Sequence, residues 1–170
     1  MQDKLKKVLH SFIRLNIDLI PSYIFIFIFL FIVRPVNVYG TSMYPKFNNG
    51  DHIIIERVTY WFNDPERYDI IVFKSEGANK NLIKRIIGLP GETIQIKGSD
   101  IYIDGQILDE EYGYEKIIYA GIAKNEIKLG ENEYFVLGDN RNASMDSRDS
   151  TVGIINSKQF IGRYIIKLPF

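Results

Sequence analysis

At 170 residues the chain has room for one domain of ordinary size plus a short additional segment. Its 21 basic residues balance 21 acidic ones, which gives no footing for nucleic acid or any other polyanion as a partner. Cysteine is absent, so disulfides, thiolate metal sites and a cysteine nucleophile are excluded. Two histidines, His10 and His52, leave few choices for an imidazole base or a zinc site.

Residues 1–14 carry Lys4, Lys6, Lys7 and Arg14 against one acid, Asp3. Residues 19–33 are then almost wholly apolar, shorter than the roughly 20 residues of a spanning helix. Ile13, Leu15 and Ile17 lengthen the run if Asn16 and Asp18 sit at an interface. The Ile/Phe alternation also fits a strand, but such a strand would aggregate in water. A cleavable secretory signal is the main competitor, yet Arg34 and Pro35 follow with no small-x-small site to cut. The pattern predicts an uncleaved signal anchor: a cytoplasmic basic flank at 1–14, a single transmembrane helix at 15–34 and an extracytoplasmic domain at 35–170. The charge bias puts the amino terminus inside and the domain outside a plasma membrane, making phospholipid a partner. His10 reads as a solvated bystander in the flank.

From Val36 onward, short runs rich in Ile, Val, Tyr and Phe are broken by Gly, Asp and Asn. Strands are predicted at 36–39, 52–58, 69–73 and 82–87. A hairpin follows from 92–97 and 100–103, with Asp104-Gly105 as a second tight turn. Residues 110–130 read as loop with one strand at most, and 133–137 and 160–167 as the last strands. Many short strands with little helical periodicity predict a mostly β domain, a compact antiparallel sheet structure.

Three segments could carry chemistry. Gly40-Thr41-Ser42-Met43-Tyr44-Pro45 presents a serine on a turn-like backbone; a plain polar turn is the competing reading. A serine hydroxyl needs a base to become a nucleophile. His52 is the one histidine of the domain, but no third group orients a Ser-His dyad. Lysine is the other candidate, at a cost: with a pKa of about 10.4, making the amine neutral at pH 7 costs about 4.6 kcal/mol. Lys84 interrupts the apolar run 82–87 beside Arg85, and the two must leave opposite faces of a strand. A charged pair guarding a sheet edge explains the same residues. The third segment, 138–149, is rich in oxygen ligands but fails the calcium-loop template, with Arg141 at a ligand position and no closing glutamate. Its mixture of acids and arginines suggests internal ion pairs, and Ser144 and Ser147 could hold a neutral amine.

Taken together and in order, Ser-Met-x-Pro after an apolar segment, Lys-Arg before Ile-Ile-Gly-Leu-Pro-Gly, and Gly-Asp-Asn-Arg-x-x-Ser-x-Asp-Ser-Arg resemble the bacterial type I signal peptidases. The resemblance is to the short, Gram-positive-like form and covers nearly the whole chain beyond the apolar segment. It implies a membrane-bound serine-lysine endopeptidase that removes signal peptides from exported preproteins near the secretion translocon, without metal or cofactor. By matched position it makes Ser42 the nucleophile and Lys84 the general base. Ser144 and Asp146 would position the lysine, and Asp139, Arg85 and Arg148 would support the site. Val38, Met43, Ile53, Val72 and Ile83 would wall shallow pockets for small side chains one and three positions before the cleaved bond. Gly40 stands where some members place an oxyanion-binding serine, so the second oxyanion donor stays open. A self-cleaving repressor-type regulator shares this dyad but needs a DNA-binding domain. A non-catalytic β module binding exported proteins would be expected to have lost Ser42 or Lys84.

Overall fold

The structure, a computed structural model, describes residues 2–169; within the first helix the side chains of residues 2, 3, 5, 7–13, 15, 28 and 30, His10 among them, lie outside the description. The chain divides into two compact units, 1–34 and 35–170.

The first unit is a helix, α1 (Gln2–Ile32), with Pro21 inside it. Among the described residues no helix is long and apolar enough to cross a membrane. This corrects the expected transmembrane span, and with it the single-pass topology and the plasma-membrane placement drawn from it. The sequence shows the reason: Asn16, Asp18, Pro21 and Ser22 break the apolar run, which is continuous only over 23–33, of which 23–32 are helical. Ten residues at 1.5 Å each cover about 15 Å of helix, about half of a hydrocarbon core. The helix also stops at Ile32, before the expected end of the span.

The second unit is mostly β, as the short-strand pattern predicts. Its strands are β1 (Val33–Asn37), β2 (His52–Glu56), β3 (Ile70–Ser75), β4 (Lys80–Gly88), β5 (Thr93–Lys97), β6 (Asp100–Ile103), β7 (Gln106–Ile107), β8 (Ile127–Lys128), β9 (Glu133–Leu137), β10 (Ile155–Asn156) and β11 (Phe160–Lys167). They form a seven-stranded sheet in the order β1-β2-β11-β3-β4-β9-β10 and a four-stranded sheet in the order β7-β6-β5-β8. β3 reads as an unbroken Ile-Ile-Val-Phe run because it is central and buried on both faces. β5 alternates, burying Ile94 and Ile96 only. Asp104 and Gly105 both take positive φ, 49° and 79°, the backbone a tight two-residue hairpin turn requires.

Two features of the large sheet set up the site. β4 is nine residues long, but β9 pairs with it only from Arg85 onward, so one edge of its first half stays open. A core cluster of Val38, Met43, Phe47, Ile53, Ile55, Ile70 and Val72 pins the turn after β1 onto the face of β3 and β4.

Candidate active site

Ser42 begins a tight turn, residues 42–46. Tyr44 N–H donates to the Thr41 carbonyl at 3.0 Å and Phe47 N–H to the Met43 carbonyl at 2.9 Å. Met43 and Phe47 are fully buried, which anchors the turn from beneath and leaves Ser42 half-buried at its lip. From the other side the Asn140 backbone N–H donates to the Ser42 carbonyl at 3.0 Å, and the Asn140 side chain to the Thr41 carbonyl at 3.2 Å. The serine backbone is thus held by residues nearly a hundred positions away.

Lys84 leaves β4 where its open edge begins. Its side chain is only 2% exposed. Nζ and Ser42 Oγ are hydrogen-bonded at 2.8 Å, and Nζ donates to the Ile83 carbonyl at 2.8 Å. No carboxylate pairs with Nζ among the described residues. Burial therefore lowers its pKa from the ordinary 10.5 to about 8, with Asp146 and Asp139 pulling it back up and Lys80 adding to the depression. The lowered pKa removes most of the roughly 5 kcal/mol that neutralising an ordinary lysine at pH 7 costs. With one N–H directed at the Ile83 carbonyl, a neutral amine would have its lone pair available to the serine hydroxyl, which is what a base beside a nucleophile requires.

The neighbouring Arg85 goes the opposite way. Its guanidinium meets Asp139 in a bidentate pair at 2.8 and 2.7 Å, donates to the Tyr68 carbonyl at 3.0 Å and lies 3.8 Å from the Tyr112 ring centroid. Asp146 is fully buried and pairs with Arg148 at 2.8 Å, while also accepting from Gly138 N–H at 3.1 Å. It acts on Lys84 through space and makes no hydrogen bond to it. Ser144 Oγ is buried without a hydrogen-bond partner among the described residues. The serine lies against Gly138, where an added Cβ would stand 2.2 Å from Ser144 Oγ and 2.5 Å from the Ser42 carbonyl oxygen. Only glycine lets these two segments meet.

Of the expected pocket residues, Val38, Val72 and Ile83 line a cavity of about 470 Å³ that also contains Ser42 and Lys84. Met43 and Ile53 are buried behind this wall in the core rather than lining it. Gly40, at φ 87°, donates its N–H to Asn49 Oδ1 at 2.8 Å, a contact that fixes the turn. The Ser42 N–H makes no hydrogen bond within the described residues and is free to bind an oxyanion. His52 is engaged with Asn37 Oδ1 at 2.7 Å, so the structure brings lysine, not histidine, to the serine.

Sequence reasoning missed several supporting groups. Arg141, expected at most to pair within its own loop, is buried and forms a bidentate pair with Glu110 outside it, while its Nε donates to the Gly138 carbonyl at 3.1 Å. Ser147, offered by the sequence as a holder of the neutral amine, instead exchanges hydrogen bonds of 3.0 Å with the Val136 backbone, locking the loop to β9. Tyr114 packs edge-on against Tyr44 at 4.9 Å. Glu110 and Tyr114 sit in a polar stretch with no pattern of its own, so nothing in the sequence tied them to the site.

The profile of the signal peptidase family, peptidase S26, matches residues 13–168. Signal peptidase I P of Bacillus subtilis subsp. natto is 34% identical over 158 residues, 86% of this chain and 85% of that protein. Signal peptidase I U of Bacillus subtilis strain 168 is 30% identical over 174 residues, covering 98% and 92%. A crystal structure of a signal peptidase I from Enterococcus faecalis V583 superposes with a TM-score of 0.50 at 33% identity, over 59% of this chain and 97% of the other.

Proposed function

The chain belongs to the signal peptidase family, peptidase S26, and is a serine endopeptidase that cleaves signal peptides; we propose that Ser42 is its nucleophile and neutral Lys84 the base that activates it. The observation that carries this reading is the buried, carboxylate-free amine 2.8 Å from the serine oxygen. Lys84 takes the Ser42 proton as Oγ attacks the carbonyl ending the signal peptide, and the Ser42 N–H stabilises the oxyanion. The protonated lysine then gives that proton to the leaving amine. Once neutral again, it activates the water that releases the acyl group from Ser42.

The walls of the cavity support a finer specificity. Val38, Val72 and Ile83, backed by Met43 and Ile53, leave a shallow apolar space beside Ser42, which favours small side chains one and three positions before the cleaved bond. Asp139, Arg85, Asp146 and Arg148 hold the loop that carries Asn140 against the serine turn, a positioning role rather than a chemical one. Exported preproteins are the partners that this activity implies.

Incubating the purified full-length protein with a preprotein, and mapping the new amino terminus, tests the whole reading. Cleavage after a small-x-small site by the wild type, lost in both Ser42→Ala and Lys84→Ala, is the expected result. Equal cleavage by Lys84→Ala would remove lysine from the base role.

A further inference from the structure

A second cavity, of about 450 Å³, lies on the same sheet face as the one containing Ser42. In the register of β3 with β4, Val72 stands opposite Ile83 and Ile70 opposite Arg85, so by strand alternation these four side chains share one face. The turn bearing Ser42 packs on that face through Met43 and Phe47. Val72 and Ile83 floor the first cavity, with Ser42 at its wall. Ile70 and Arg85 line the second, which is bounded by Pro45 and Lys46 of the same turn. Two residues along each strand, about 7 Å, separate the two floors. An extended peptide lying in the first cavity with a carbonyl at Ser42, continued along β3 and β4 toward Ile70 and Arg85, runs toward the second cavity.

Resting on the Ser42–Lys84 reading, we propose that this second cavity takes the first residues after the cleaved bond, and that Lys46 and Glu111 at its rim read their charge. The deeper charges are already matched: Arg85 with Asp139, and Arg163 with Asp69 at 3.1 Å. Lys46 and Glu111 are both exposed, and neither forms an ion pair among the described residues. The Lys46 amine lies 5.5 Å from the Tyr164 ring centroid, at the cavity wall. Tyr68 and Tyr112 make the remaining wall neutral and wettable, suited to an extended backbone. Two unmatched charges of opposite sign at the mouth of a neutral groove discriminate by side-chain charge without adding much affinity.

The test uses three peptides identical up to the cleaved bond. One carries Glu-Glu at the second and third positions after it, one Lys-Lys, and one ends a single residue after the bond. Cleavage efficiency at low salt is compared for wild type, Lys46→Glu and Glu111→Lys, with Ser42→Ala as the control for the underlying activity. We expect Lys46→Glu to shift the preference toward the Lys-Lys peptide by about fivefold, and Glu111→Lys to shift it toward Glu-Glu by a similar factor. Added salt should shrink both shifts, and the short peptide should respond to neither reversal. Equal effects on both charged peptides, or the same effect on the short one, would overturn the cavity assignment alone. Failure of the wild type to cleave any of the three, or cleavage surviving Ser42→Ala, would overturn the serine-lysine reading and this inference with it.

Discussion

β4 buries two adjacent cations, and the molecule treats them in opposite ways. Arg85 enters with a bidentate carboxylate, a carbonyl and an aromatic face, so its charge is matched on every side. The loop at 138–149 repeats that solution with Arg148 on Asp146 and Arg141 on Glu110. Lys84 is buried as deeply, yet among the described residues no carboxylate touches its amine. A matched cation keeps its proton and holds segments together; an unmatched one is pushed toward releasing it. The first kind fixes geometry, and the second, in the function proposed, supplies chemistry.

The largest effects should come from the unmatched site. Ser42→Ala and Lys84→Met should each lower cleavage by at least about a thousandfold, measured on a preprotein. Lys84→Met should also melt no lower than the wild type, because it removes a buried group whose charged form is disfavoured. A large loss of melting temperature in that variant would mean that Lys84 belongs with the structural cations.

The matched pairs should behave in reverse. Asp139→Ala leaves Arg85 buried and uncompensated, which should cost about 3–5 kcal/mol in denaturant unfolding. Its activity loss should exceed the unfolded fraction, because the loop carrying Asn140 also loses its hold on the serine turn. Gly138→Ala forces Ser144 and the Ser42 carbonyl apart, and a displacement of about 1 Å at a reacting group should lower cleavage by about a hundredfold. If Gly138→Ala is fully active, the close approach of the loop to the serine turn does not position the nucleophile.

The smallest and most graded effect is that of pH. A base with a pKa of about 8 must be deprotonated, so cleavage efficiency should climb about tenfold per pH unit below 8 and level off above it. Stability carries the same sign. The folded-state pKa lies below the ordinary 10.5, so between about pH 8 and 10.5 the unfolded chain binds the extra proton and stability rises with pH. Across that window the wild type should gain roughly 3 kcal/mol relative to Lys84→Met. Below pH 8 both states hold the proton and the difference should be flat.

How much of this was legible depended on whether the signal was local. The strands at 133–137 and 160–167 coincide with β9 and β11, because short β-prone runs bounded by turn residues specify them directly. Ser42 and Lys84 stood out because a serine on a turn and a cation inside an apolar run are locally anomalous. Partner choice was not local. Ser144 and Asp146 were both expected on the lysine, but Asp146 is taken by Arg148 two residues away, a contact set by the fold of the loop. Arg141 finds Glu110 across 31 positions, and nothing in either neighbourhood announces it. The amino-terminal segment was misjudged for a different reason: the expected span counted residues on both sides of Asn16 and Asp18 as one apolar length.

The most direct test of the unmatched-cation account is an NMR titration of the lysine side chains in the wild type, with the Lys84 signal assigned by its loss in Lys84→Met. The account predicts a midpoint near 8 for that one resonance. A midpoint at or above about 10 would mean that the buried amine keeps its proton at working pH and is not the base for Ser42.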